Sequence, residues 1–235
     1  MRVALDSMAK DFRNAGFLID GAAVDPDVGT LTSITIQSRA GAVGIVSPAG
    51  IPDTAGGDFV LSDAEQGSHF PVGTYVGAFT PMSRSSFVGG GACKVVAQNA
   101  GDKRLIKLKQ SDGISDIVIN TFKTDGQTAL ILVPLASAAV TPAQTIKSVV
   151  YDFGTEVINS KTVSFLRRTE AGNARFLARG ITGTFEPKKT TMADGSLSVN
   201  RVMVTLEGET DQLSNDAIGS QKTRSLRTVF NLRNI

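Results

Sequence analysis

The chain has 235 residues, of which 41% are hydrophobic, 20% are charged and 24 are glycines. This composition excludes an intrinsically disordered chain and supplies enough apolar surface for a folded core. Because 24 Lys and Arg are balanced by 22 Asp and Glu, the formal net charge of +2 excludes a general electrostatic attraction to nucleic acid or anionic lipid.

The first segment predicts an amphipathic helix from Arg2 to Phe17. Its apolar residues recur every three to four positions, whereas Asp6 and Lys10 occupy the opposite side. Gly16 is typical of a helix C-terminus. The apolar stripe is already running at Val3, with no capping Ser, Thr, Asp or Asn before it. This absence indicates a helix whose upstream part is missing.

After Gly21 the sequence changes to short runs of β-branched, aromatic and aliphatic residues that are separated by Gly, Pro, Asp and Asn. Such runs predict strands joined by turns. The alternation is clearest near the end, where Val202, Val204 and Leu206 share one face. Regularly spaced strands after one helix indicate an α+β fold with antiparallel sheets. The predicted strands are Leu31–Gln37, Val43–Ser47, Thr74–Phe79, Ala92–Gln98, Arg104–Lys109, Asp116–Phe122, Thr128–Val133, Thr145–Phe153, Thr162–Arg167, Ala174–Ala178, Leu197–Leu206 and Ser225–Leu232.

The predicted domain organisation is simple. Three stretches rich in turn-forming residues predict loops, at Gly50–Gly57, Phe87–Gly91 and Glu207–Asp216. No long linker or shift in composition marks a boundary within the strand-rich part. No stretch reaches the roughly 20 apolar residues that a membrane-spanning helix needs. We therefore predict a helix over residues 1–20 and one β-rich globular head domain over residues 21–235.

The residues that support catalysis are scarce. Cys93 is the one cysteine and His69 the one histidine, which excludes an intramolecular disulfide and metal sites with two histidines. Ser62 and Ser68 lie near His69 and Asp63, but no serine is surrounded by the Gly-x-Ser-x-Gly pattern of a nucleophile elbow. The sequence predicts no catalytic or cofactor-binding site and a protein that is not an enzyme.

Two charged clusters leave alternatives open. The acidic residues at 20–27 and 207–216 match no EF-hand loop and are either solvated loop residues or oxygen ligands for calcium, so no metal site is assigned. Basic residues gather at 167–189 and 222–233. They form a solvated face, contact an acidic protein partner, or bind nucleic acid. Nucleic acid is disfavoured because the chain has no Trp and only two Tyr on which bases could stack.

Several segments resemble, in the same order, those of PilW-type minor pilins and of the related J-type minor pseudopilins of type II secretion. Leu5–Phe17 is similar to the family's helix segment. That segment ends with an acidic residue, then an aromatic residue or leucine, then arginine, then any residue, and then alanine, glycine and an aromatic residue. The other similar segments are Thr32–Ile36, Phe70–Thr80, Val149–Phe153, Phe165–Arg168, Phe176–Phe185, Asn200–Leu206 and Arg224–Asn234.

The resemblance implies a pilin-like fold, with one N-terminal helix packed on the antiparallel sheets of a large β-rich domain. It implies a noncatalytic subunit that takes part in assembly or tip formation of a type IV pilus or a pseudopilus. The implied partners are other minor pilins or pseudopilins, the major pilin, and the inner membrane through a missing N-terminal helix. No cofactor or small-molecule substrate is implied. The protein would be anchored in the inner membrane of a bacterium with a periplasmic domain, and later reach the cell surface.

The front of the sequence departs from the family, because the leader, the cleavage site and the long apolar segment are not present. This departure indicates a truncated chain or a split subunit. We predict partner contacts through Leu5, Met8 and Phe12 of the helix, and through Arg167 and Arg168 of the first basic segment. The alternatives are a surface adhesin, a DNA-binding pilin, and a virion protein that shares the strand-rich texture but leaves the helix unexplained.

Overall fold

The computed structural model describes residues 2–19, 22–39, 43–81, 83–123, 129–191, 195, 197–210 and 222–232. The chain divides into two compact units. Unit 1 comprises Met1–Ser38 and Lys147–Ile235, and unit 2 comprises Arg39–Ile146. Each unit has a hydrophobic core of its own. The division into residues 1–20 and 21–235 stays a prediction.

The α-helices and strands follow one another along the chain in the order of their numbers. The helices are α1 (Arg2–Asn14) and α2 (Ala64–Gly67). The strands are β1 (Val24–Asp25), β2 (Ser33–Arg39), β3 (Gly44–Val46), β4 (Phe59–Val60), β5 (Tyr75–Phe79), β6 (Cys93–Gln98), β7 (Leu105–Gln110), β8 (Leu130–Leu135), β9 (Ile146–Ile158), β10 (Lys161–Glu170), β11 (Asn173–Arg179), β12 (Ile181–Thr191), β13 (Leu197–Thr210) and β14 (Lys222–Asn231).

The predicted α+β fold class is wrong, because the protein is mostly β. Strands account for 51% of the structure and helices, with the 3-10 turns included, for 13%, and α1 is the one helix of seven or more residues in the described part of the chain. The three sheets are antiparallel, and one of them is a nearly closed, barrel-like sheet. The physical reason is that α1 contributes to the core of unit 1 alone, while strand side chains build most of both cores.

Helix α1 forms because its apolar residues share one face. Ala4, Met8 and Phe12 lie one helical turn apart and are buried. The helix ends at Asn14, earlier than the predicted Phe17. Gly16 follows with φ of 79°, a conformation that favours glycine, and its N–H donates to the carbonyl of Gln37 at 2.9 Å.

Unit 1 contains two of the sheets. The five-stranded sheet has the order β1-β2-β9-β10-β11, and the three-stranded sheet has the order β12-β13-β14. Leu31, just before β2, and Phe185 of β12 exchange two backbone hydrogen bonds of 2.8 Å. Helix α1 contacts β11 and β14, which are edge strands of the two sheets. The apolar faces of both sheets and of α1 therefore meet in one core.

Unit 2 is built on the six-stranded sheet, with the order β3-β8-β5-β6-β7-β4. A bridge between Val46 and Leu61 brings the two ends of this order together, so the sheet nearly closes on itself. Closure removes exposed strand edges and surrounds an apolar interior. Buried Arg39 donates to the carbonyls of Pro142 at 2.9 Å and Arg84 at 2.6 Å, which ties together the two ends of the unit.

Most of the predicted strands are present with shifted ends, but several local predictions fail. Asp116–Phe122 is not a strand, because it contains a 3-10 turn at Ile119–Thr121 and buries Ile117 and Phe122. Strands β1, β4 and β12 were not predicted. The loop predicted at Glu207–Asp216 is wrong for residues 207–210, which continue β13, and residues 211–216 lie outside the described residues.

Candidate functional site

The three helix residues predicted to contact a partner face the core of unit 1. Met8 and Phe12 are 0% exposed, and Leu5 is partly buried against the same core. The Phe12 ring stacks on Phe230 of β14, with 4.7 Å between the ring centroids. These side chains therefore hold α1 against its own unit. A role for them in binding a partner stays a prediction.

A buried carboxylate ties α1 to the five-stranded sheet. Oδ2 of Asp11 accepts a hydrogen bond of 2.7 Å from the hydroxyl of Tyr151 in β9 and one of 2.8 Å from Nε of Arg168 in β10. Arg168 also pairs with Glu170 at 2.6 Å, and Lys147 pairs with Glu170 at 2.8 Å. Because buried charges are costly without partners, this network fixes the position of α1 on the sheet.

The same network shifts the pKa values of its members away from their ordinary values. Burial raises the pKa of the Tyr151 hydroxyl, and its hydrogen bond to Asp11 raises that pKa further. Burial lowers the pKa of the Arg168 guanidinium, but its hydrogen bonds to Asp11 and Glu170 together outweigh burial, so the net shift of this pKa is upward. Lys147 and Arg168 lower the pKa of the Glu170 carboxyl. Tyr151 therefore stays neutral and Arg168 stays charged, which suits a structural role better than proton transfer.

The two arginines predicted as one basic surface lie on opposite faces of the five-stranded sheet. Successive side chains of a strand point to opposite sides, so adjacent Arg167 and Arg168 diverge. Arg168 points inward to Asp11. Arg167 lies on the outer face, where it makes two hydrogen bonds to Asp152 of β9, at 3.1 Å and 2.9 Å. The two arginines were predicted to contribute to one partner-binding surface, but the sheet separates their side chains.

An aromatic and charged cluster, here called the Phe176 patch, lies on this outer face. Phe176 of β11 is 39% exposed and meets Phe165 of β10 edge to face, with 5.1 Å between ring centroids. Gly154 of β9 leaves room for the Phe165 ring, because a Cβ there would lie 2.7 Å from it. The patch comprises Asp152, Gly154, Glu156, Phe165, Arg167, Phe176 and Arg179.

Two guanidinium groups cover the rings of the Phe176 patch. The guanidinium carbon of Arg179 lies 4.4 Å from the centroid of Phe176, and that of Arg167 lies 5.3 Å from the centroid of Phe165. Nε of Arg179 also donates to Glu156 at 2.6 Å. Each arginine is thus held between an aromatic ring and a carboxylate, which limits its rotamers.

A β-bulge makes the Phe176 patch possible. Residues three apart in a regular strand point to opposite faces, as Phe176 and Arg179 would. In the pairing of β10 with β11, Leu166 lies opposite Ala178 and Arg167 lies opposite Phe176, so Leu177 is an extra residue. Leu177 and Ala178 both pack on the core, and their neighbours both face outward. No sequence signal marks this bulge, so Arg179 was predicted only as a member of the basic segment 167–189, and Phe176 was not predicted to lie beside it.

The serine and histidine residues considered for hydrolysis serve turns. Asp63 caps α2 by accepting a hydrogen bond of 2.9 Å from the backbone N–H of Glu65. The hydroxyl of Ser68 donates to the carbonyl of Glu65 at 2.6 Å. The backbone N–H of Ser62 donates to the carbonyl of Ile45 at 2.7 Å. His69 is exposed at the end of the same turn.

The acidic clusters considered for calcium show no ligand set in the part of the chain that the structure describes. No group of three or more His, Cys, Asp or Glu converges there. Asp27 pairs with Lys189 at 2.8 Å, which gives its carboxylate a structural partner. Asp20 and residues 211–216 lie outside the described residues.

Unit 2 contains an open cavity of about 290 Å³ beside the glycine-rich loop. Its wall includes Gly89, Gly90, Cys93, Gln110 and Phe122. Burial raises the pKa of the Cys93 thiol to about 11. A thiol with this pKa is a poor nucleophile at neutral pH, because the thiolate is the reactive form. The cavity therefore lacks an activated nucleophile at Cys93.

We expect Cys93 to resist labelling in the folded protein. At pH 8 a pKa of about 11 leaves a thiolate fraction roughly 100-fold lower than that of an ordinary cysteine, and burial slows access further. The test is the rate of maleimide labelling followed by mass spectrometry. The Val72→Cys variant, with a thiol at a 61% exposed position, should take up one label quickly while Cys93 stays unlabelled. Two labels at similar rates would contradict the burial of Cys93.

Comparisons with known proteins found no matching family model, no matching curated protein and no matching solved structure. Within the described residues, no helix combines the length and the apolar character needed to cross a bilayer.

Proposed function

We propose that this protein is a noncatalytic subunit that takes part in the assembly or tip formation of a type IV pilus or a related secretion pseudopilus. It would act in the cell envelope of a bacterium by contacting other minor pilins or pseudopilins and the major pilin. The proposal rests on the resemblance of its segments, in order, to PilW-type minor pilins, and on one structural observation.

That observation is how firmly α1 is joined to the sheets. Met8 and Phe12 bury their side chains completely in the core, and Asp11 binds Tyr151 and Arg168 from two different strands. In a fibre subunit, the helix must transmit force to the globular domain and must hold that domain in a fixed orientation. A helix held by both apolar packing and a buried ion-pair network suits this task, because neither contact gives way without exposing apolar or charged groups.

A deletion of the gene in its native host tests the proposal. We expect fewer surface pili by electron microscopy, or reduced secretion of the substrates of a type II system, with recovery when the full-length gene is restored. As a control, a gene that carries Asp6→Asn, which changes an exposed carboxylate of α1, should restore pili and secretion fully when it is introduced into the deletion strain. Unchanged pilus number together with unchanged secretion in the deletion strain would refute the proposed function.

A further inference from the structure

From the geometry of the Phe176 patch we infer that it is a binding surface for a protein partner that presents carboxylates beside an aromatic or branched apolar side chain. The inference deepens the proposed function, because the partner would be a neighbouring subunit of the same fibre. The identity of this partner rests on the proposed function. When one face of an antiparallel sheet packs on the core, the other face is normally polar. The aromatic pair of Phe165 and Phe176 on the outer face therefore requires an explanation.

The patch has the composition of an interaction hot spot. Aromatic residues and arginine are the types that most often dominate binding energy. Phe176 offers its ring at 39% exposure, and Arg179 lies over it with its side chain 50% exposed. Both are held in place by Phe165 and Glu156 before any partner arrives. Such preorganisation lowers the entropy lost on binding.

The charges indicate which partner fits. Arg167 and Arg179 are 39% and 50% exposed, whereas their partners Asp152 and Glu156 are 18% and 27% exposed. The positive groups are therefore nearer the surface than the negative ones. Strand β11 contains no acidic residue that would offset these positive groups. A partner with carboxylates around an apolar centre complements this arrangement.

The same charges favour protein over nucleic acid. Asp152 and Glu156 would repel the repeated phosphates of a nucleic acid strand more than the few carboxylates of a short acidic segment. Stacking of successive bases also needs several open aromatic rings. Phe165 is 6% exposed, so Phe176 is the one ring of the patch that is open to a ligand.

Nuclear magnetic resonance of the full chain labelled with ¹⁵N tests the inference. The probe is the blocked peptide Thr-Glu-Phe-Glu-Val-Glu-Thr, with Thr-Lys-Phe-Lys-Val-Lys-Thr as its charge-swapped control. We expect the acidic peptide to shift the backbone amides of Phe176 and Arg179, with an affinity at least about tenfold above that of the basic peptide. The Phe176→Ser variant should weaken the acidic peptide by about tenfold or more.

Two controls separate binding from folding. Val229→Ser changes an apolar residue of β14 that is 50% exposed, and it should leave the peptide affinity unchanged. Arg179→Gln should also weaken binding while keeping the spectrum of the folded chain. Equal binding of both peptides, no shift at Phe176 and Arg179, binding that survives Phe176→Ser, or equal shifts with a twelve-residue oligothymidine would each overturn the inference.

The native host distinguishes this inference from the proposed function. If the deletion strain loses pili or secretion and the Phe176→Ser gene restores them fully, the inference is wrong while the proposed function stands. If the deletion strain has no defect, the proposed function is wrong, and the peptide titration alone decides whether the patch binds such a partner.

Discussion

Truncating Phe12 to alanine should lower the free energy of unfolding of unit 1 by about 3–5 kcal/mol. The Phe12 side chain is completely buried, stacks on Phe230 at 4.7 Å and lies 5.9 Å from the ring of Tyr151. Its removal costs both the transfer of the ring from water and the cavity left between α1 and two sheets. The loss is a large part of the stability of an ordinary domain.

Two tyrosines allow this prediction to be measured unit by unit. The chain contains Tyr151 in unit 1 and Tyr75 in unit 2, and no tryptophan. With ¹³C-labelled tyrosine, each unit reports its own urea transition by nuclear magnetic resonance. The midpoint of Tyr151 should fall by at least about 1 M in Phe12→Ala, for a urea dependence of about 1–3 kcal/mol per M.

Matched variants guard the Phe12 result. Val3→Ala truncates an apolar residue of the same helix that is 79% exposed, and it should move the Tyr151 midpoint little. Phe59→Ala makes the same change as Phe12→Ala at a fully buried position of unit 2, so it should move the midpoint of Tyr75. An unchanged Tyr151 midpoint in Phe12→Ala would mean that α1 does not pack as described.

Periodicity made much of unit 1 predictable. The stripe that includes Met8 and Phe12 marks the buried face of α1, and the alternation of Val202, Val204 and Leu206 marks the buried face of β13. Both signals are strong because one face of the element is apolar over several repeats. The fold class was missed nonetheless, since the number of strands and their division among three sheets depend on contacts far apart in the chain.

Strand β12 shows how tertiary context overrides a local breaker. Its sequence contains Gly183, Glu186 and Pro187, which argue against a strand. Phe185 exchanges its backbone hydrogen bonds with Leu31, so its N–H and carbonyl point away from β13. Pro187, two residues further on, has the same orientation, and its missing N–H therefore costs no hydrogen bond to β13. Only the pairing, and not the sequence, reveals this.

The charged residues of the candidate site were the hardest to place. Asp11 lies between Met8 and Phe12 on the buried face of α1. An acidic residue in an apolar stripe indicates a buried polar contact, but it does not identify the partners. Its partners, Tyr151 and Arg168, are 140 and 157 residues away. The Phe176 patch depends in addition on the extra residue Leu177, which no periodicity predicts.

Arg168→Glu should destabilise unit 1 by about 3–5 kcal/mol, whereas Arg167→Glu should cost about 1 kcal/mol or less. In Arg168→Glu a new carboxylate replaces the partner of Asp11 and stands beside Glu170, where the side chain of Arg168 is only 20% exposed. In Arg167→Glu the new carboxylate faces Asp152 on the outer face, where the side chain of Arg167 is 39% exposed and water screens the repulsion.

The urea midpoint of Tyr151 measures both reversals, and a double-mutant cycle assigns the larger loss to the buried network. We expect Arg168→Met and Asp11→Asn together to cost less than the sum of the two single changes, by about 0.5–3 kcal/mol, because either change alone removes the same hydrogen bond. Additive losses would contradict the hydrogen bond between Asp11 and Arg168. Equal midpoints for Arg167→Glu and Arg168→Glu would contradict the opposite placement of the two arginines. A double variant that reverses the charges of both Arg167 and Arg168 would not test a binding surface. The loss of the Arg168 contacts would weaken the attachment of α1 and conceal any effect of Arg167 on a partner.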